Sequence, residues 1–121
     1  MFGFGKKIEI KKMDINEAYR RYAQSPENNV IICADEVKDY DGAHVAGSEC
    51  LPLRIMERSE EYYPEKEKTY YVYSINPAIS ERAYKKLIKL GYKVYDLGGY
   101  AHYHEEEEGI YIKKKGKKRR K

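Results

Sequence analysis

The run Tyr70-Tyr71-Val72-Tyr73-Ser74-Ile75-Asn76-Pro77-Ala78-Ile79-Ser80-Glu81-Arg82-Ala83 constrains the fold more than any other stretch of this chain. Residues 69–73 read as a strand, residues 74–79 as a tight six-residue loop, and the segment after Ser80 as a helix. A second apolar run, Val30-Ile31-Ile32-Cys33-Ala34, has the character of a strand buried on both faces. Buried strands alternating with helices imply a parallel α/β sheet with crossover connections. Ser74 stands at the tip of its strand, facing the backbone N–H groups of a helix N-terminus. That place suits an anion, or a sulfur made acidic by its surroundings. This chain puts a hydroxyl there.

Other signals mark the remaining elements. Ile8-Glu9-Ile10 alternates as a short edge strand would. Asp14-Ile15-Asn16-Glu17 has the form of a capping box, and Ile15, Ala18, Tyr19 and Tyr22 then recur at helical spacing. Ser25-Pro26 ends that helix. Residues 35–42 are polar with room for one helical turn, Cys50-Leu51-Pro52-Leu53 closes a short strand, and residues 54–63 read as helix or helical loop. Ser80 is an N-cap candidate for a helix over 81–90 with apolar face Ala83, Tyr84, Leu87 and Ile88, and Gly91 is placed to end it. Lys93 to Leu97 form a further strand, Gly98-Gly99 a tight turn, and a short helix follows to Glu107.

At 121 residues the chain makes one domain, with no apolar run long enough to span a bilayer and no leader-like apolar stretch after Met1. Cys33 and Cys50 have neither metal-ligand nor redox-pair spacing, which fits a reducing cytoplasm. No cofactor or metal is expected. The net charge of +4 conceals a division: Lys113, Lys114, Lys115, Lys117, Lys118, Arg119, Arg120 and Lys121 hold eight of the 24 basic groups. Without them, sixteen bases face 20 acids. The sequence divides into an N-terminal segment (1–12), a domain (13–112) and a basic tail (113–121). The tail reads as solvated, with weak contact to RNA or an anionic surface as its sharper use. Fourteen tyrosines against two phenylalanines and no tryptophan suggest packing on half-buried strand surfaces, where the hydroxyls can reach water.

Three segments, in order, resemble those of rhodanese-like domains. Asp39-Tyr40-Asp41-Gly42-Ala43-His44-Val45-Ala46-Gly47-Ser48 is similar to their E-Y-x-x-G-H-I-x-G-A; Val72-Tyr73-Ser74, with Ser80 and Ala83, to V-Y-C-x-x-G-x-R-S-x-x-A; and Leu90 to Gly99, with Tyr103, to the L-x-x-x-G-[FY]-x-x-V-x-x-L-x-G-G-x-x-x-W ending. The resemblance implies an α/β fold with a parallel sheet of about five strands and helices on both faces. It also implies an active-site loop over Ser74, Ile75, Asn76, Pro77, Ala78, Ile79 and Ser80, in which residue 74 would be the sulfur-carrying nucleophile. In the family that residue is a cysteine which accepts sulfur from a donor such as thiosulfate and passes it on as a persulfide.

The departures from the family pattern fall where that chemistry would occur. A serine hydroxyl is far less acidic than a thiol of pKa about 8.5 and carries no transferable sulfur. Pro77 removes one N–H from the cradle. Ile79 stands where the family often has arginine, and Asp35 where it has another. The expected function is therefore a catalytically degenerate module that binds a protein partner or a small anion through residues 74–80. The alternative is a sulfurtransferase working through a relocated thiol, Cys33. His44 reads as a structural histidine, although it is the best base for a hydrolytic Ser74. His102 and His104, two positions apart on a helix, would diverge too far to share an ion. Glu105 to Glu108 read as a solvated face that could pair with the tail.

Overall fold

The computed structural model describes residues 8–112; residues 1–7 and the basic run 113–121 lie outside it, as do the RNA and anionic-surface contacts expected of that run. Four strands form one all-parallel sheet: β1 (Asn29–Cys33), β3 (Glu49–Cys50), β4 (Thr69–Ser74) and β5 (Lys93–Gly99), in the order β3-β1-β4-β5. Two short strands, β2 (His44–Val45) and β6 (Glu107–Glu108), pair antiparallel outside it. The helices are α1 (Ile15–Gln24), α2 (Val37–Gly42), α3 (Ser59–Tyr62) and α4 (Pro77–Lys89), with 3₁₀ turns at Leu53–Arg58 and Tyr100–His102.

Strand alternation divides the core in two. Val30, Ile32, Tyr70 and Val72 face α4 and the Leu53–Arg58 turn, packing with Met56, Ala83, Tyr84 and Leu87. Ile31, Cys33, Tyr71 and Tyr73 face α1, packing with Ile15, Ala18, Leu97 and Tyr103. The tyrosines fill both halves and send their hydroxyls to partners at the margins. Tyr71 donates to Asn29 Oδ1 (2.7 Å) and Tyr70 to the Glu65 carbonyl (2.6 Å). Tyr73 accepts from the Val45 N–H (3.0 Å) and shares a hydrogen bond with Ser48. On the α1 side, rings of Tyr73, Tyr100, Tyr103, Tyr19 and Tyr22 succeed one another at centroid spacings of 5.6, 5.9, 6.0 and 6.4 Å.

Several expectations need correction. Among the described residues the parallel sheet has four strands, and the parallel bridge between Lys12 and Asp96 marks a place beside β5 for the fifth that the resemblance implies. Ile8 to Ile10 form no strand. The Tyr84 hydroxyl donates to the Glu9 carbonyl and accepts the Lys11 N–H, so a side chain satisfies backbone groups that a ladder would have used. Helix α4 starts at Pro77 and not at Glu81. Asn76 is its N-cap, accepting the Ala78 N–H at 2.9 Å, and Pro77 supplies a preset first position. The six-residue loop thus shrinks to Ile75 and Asn76 between strand and helix. Gly98 and Gly99 belong to β5 rather than to a turn. The register slips between Val72–Asp96 and Tyr73–Gly98, and Gly98 takes φ +78°, a bulge conformation that glycine tolerates best. After the Tyr100–His102 turn, the chain continues into β6 rather than a helix to Glu107.

Candidate functional site

The carboxyl ends of β1 and β4 lie side by side, with Cys33 paired to Tyr73 in register. Asp35, two residues past Cys33, turns its carboxylate onto the start of the 74–80 segment. Oδ1 accepts the Ser74 hydroxyl at 2.5 Å, and Oδ2 accepts the Ile75 N–H at 2.9 Å. Cys33 Sγ lies 3.5 Å from the same Oδ2. Ser74 itself is fully buried.

The remaining donors of the segment are occupied from within. The Asn76 N–H donates to Ser74 Oγ (3.0 Å), Pro77 has no N–H, and the Ala78 N–H goes to Asn76 Oδ1. The Ile79 and Ser80 N–H groups donate to the Asn76 carbonyl. A helix N-terminus normally offers unsatisfied donors to an anion. Here a carboxylate from β1's end, a serine, an asparagine and the helix's own first turn take them up. Ser80 is buried within α4's first turn, where its hydroxyl contacts the Val72 carbonyl and the carboxylate of Asp96.

Beside the segment lies a cavity of about 440 Å³, lined by Ala34, Leu53 and Ile79 with Asp35, Glu36, Asp39, Arg54, Glu57 and Lys86 around them. Arg54 is held by Glu36 (2.9 Å) and Lys86 by Glu57. Ile79 forms part of the apolar wall, and the side chains of Ile75, whose N–H Asp35 accepts, and of Val37, two residues past Asp35, stand 56% and 52% exposed.

The two thiols are poor nucleophiles. Cys33 is 2% exposed; burial, reinforced by the charge of Asp35, pushes its thiol up to about 12. Cys50, cross-strand from Cys33, donates to the Asp35 carbonyl (3.3 Å) and is raised to about 11 by burial and by Asp35, Asp41 and Glu36. His44 takes its polar partners from Tyr40 and Glu108, not from Ser74. Its Nδ1 pairs with the Tyr40 carbonyl at 2.6 Å, its ring stacks on Tyr40 at 3.7 Å, and Nε2 lies 3.5 Å from Glu108. The backbone of His102 and His104 is tied to Asn16, by its amide NH₂ and carbonyl oxygen respectively. Glu105 to Glu108 are not a merely solvated face: they bind Arg20, Tyr19, Tyr100, and the Gly47 N–H with His44.

Sequence reasoning identified Asp35 as a reversal of charge but missed its work as a plug. The residue it plugs is 39 positions away, and only the β1–β4 pairing brings the two together. The Asn76 cap was legible, because asparagine before proline is a helix-start signal in its own right.

No protein-family model matches the chain, and no curated protein does. Solved structures do. A rhodanese from Escherichia coli, determined with anions, superposes at TM-score 0.62 and 26% identity over 68% of this chain and 99% of that one. A rhodanese-like domain from Anabaena sp. gives 0.74 and 22%, covering 87% and 83%. A thiosulfate sulfurtransferase from Pseudomonas aeruginosa gives 0.72 and 17%, over 83% of this chain and 20% of that longer protein. The chain therefore has the rhodanese-like fold that its three segments resemble.

Proposed function

We propose that this protein is a catalytically degenerate rhodanese-like module that binds a protein partner through the 74–80 segment and the cavity beside it. One observation carries the reading: Asp35 occupies the donors that would serve an anion or a persulfide. A negative side chain already bonded to Ser74 and Ile75 opposes both a small anion and a thiolate at position 74. That favours a protein partner over an anion, and the exposed Ile75 and Val37 offer it apolar contact. Cys33 as a relocated sulfur carrier rests on its shared contact with Asp35, but its burial and raised pKa oppose it.

A thiosulfate:cyanide assay tests the loss of chemistry. The wild type and Ser74→Cys should both stay at the blank rate, and Ser74→Cys/Asp35→Ala should rise above it. Turnover by the wild type that disappears in Cys33→Ala would establish the alternative. Affinity capture by the wild type, compared with Ile75→Asp, tests the binding face: a partner retained equally by both places the contact elsewhere.

A further inference from the structure

We infer that the cavity beside Asp35 receives a cationic side chain, an arginine with apolar neighbours, from a peptide segment of the partner protein. The inference rests on the reading above, that a protein binds this face, and adds the chemistry of what that protein inserts.

The cavity itself is the first observation. At about 440 Å³ it has the size of a ligand site, for which the range is roughly 300–1,000 Å³. Its apolar lining is held in place from behind. Ala34 is buried in the α4-side core, and Leu53 and Ile79 pack against that core.

The second is the charge that remains once internal pairs are set aside. Asp35, Glu36, Asp39 and Glu57 line the cavity against two bases, Arg54 and Lys86. Arg54 Nε donates to both oxygens of Glu36, at 3.1 and 2.9 Å, and Lys86 pairs with Glu57. Asp35 and Asp39 are left, and neither has an ion-pair partner among the described residues. The Asp35 carboxylate takes its hydrogen bonds from neutral groups, the Ser74 hydroxyl, the Ile75 N–H and the Cys33 thiol, so its charge is not cancelled. It is also half-buried, where screening by salt is weaker than at exposed Asp39.

The two observations together select the occupant. A small anion is repelled by both acids. A purely apolar side chain would strip water from Asp35 and leave its charge unanswered, which is costly. A side chain with an aliphatic stem and a cationic end meets both demands, the stem on Ala34, Leu53 and Ile79 and the charge toward Asp35 and Asp39. Arginine suits this better than lysine. Its guanidinium is more weakly hydrated, and its planar fork of donors can serve two carboxylates.

The test is a titration of the full chain, followed by amide NMR, with the acetylated and amidated pentapeptide ALRLA. A second peptide carries citrulline in place of the arginine, keeping its shape without its charge. The arginine peptide should shift residues 34–39, 53–57 and 79. At about 0.02 M salt it should bind about tenfold more tightly than the citrulline peptide, and the gap should narrow at about 0.5 M. Asp39→Asn, at an exposed position, should weaken the arginine peptide about threefold and leave the citrulline peptide unaltered. Equal affinity for the two peptides, shifts confined to other parts of the domain, or shifts of the same residues by inorganic phosphate would overturn the inference. So would a captured protein that is lost in Ile75→Asp but indifferent to Asp39→Asn, a result that leaves the binding face itself intact. Arginine-selective shifts without any captured protein would uphold the cavity's preference for a cation and count against the partner reading alone.

Discussion

Two aspartates at the sheet use the same bonds for different ends. Asp35, at the half-buried mouth, accepts the Ser74 hydroxyl and the Ile75 N–H. Asp96, 2% exposed within β5, accepts the Ser80 hydroxyl and the Gly98 N–H. The inner pair joins α4's first turn to the β5 bulge, and its own backbone exchanges hydrogen bonds with Lys11 and Met13. It holds the crossover together. The outer pair joins the end of β1 to the end of β4 at a surface where a ligand could otherwise enter. An acid–serine pair therefore carries no function in itself; its depth and the donors it consumes decide what it does.

Replacing the inner acid should cost most. Asp96→Ala leaves the Gly98 N–H without its acceptor and Ser80 with only the Val72 carbonyl, a loss of about 3 kcal/mol for one buried and one half-buried bond to a carboxylate. Urea unfolding would measure it, and a loss below that of Asp35→Ala would invert the comparison. Asp35→Ala should cost less, about 1–2 kcal/mol, because water can reach the released groups. Its signature is local: hydrogen exchange at the Ile75 amide should quicken while Gly98 stays protected. If Ile75 exchange is unchanged, Asp35 is not the plug described.

The smallest expected effect is on the neighbouring thiol. Burial is the main reason that Cys33 is raised to about 12, and the Asp35 charge adds to it. Asp35→Asn removes that charge, so the Cys33 pKa should fall and alkylation at pH 9 should quicken; Asp96→Asn should leave it unaltered. In the wild type Cys50, the more exposed and less raised of the two, should react first.

How much of this was legible beforehand follows the range of the interactions. Helix α1 announced itself through Asp14, whose side chain caps Asn16 and Glu17 two and three residues on. Strands β1 and β4 were plain from unbroken apolar runs, and the order of three short segments carried the fold. The 74–79 loop is shorter than an N-cap at Ser80 implies, because the local signal Asn76-Pro77 starts α4 first. The N-terminal edge and the plugging of Ser74 were beyond local pattern. Each depends on one side chain, Tyr84 or Asp35, meeting a backbone or hydroxyl more than 35 residues away.

The succession of rings from Tyr73 to Tyr22 has an optical consequence. With no tryptophan in the chain, ultraviolet emission comes from tyrosine alone. Rings this close exchange excitation, so light emitted by the folded protein should be more depolarised than that of equally rigid tyrosines held far apart. The molecule thus carries an unlabelled reporter of ring packing on both faces of its sheet, since Tyr63, Tyr70 and Tyr92 on the α4 side lie 5.8 and 5.0 Å apart in succession.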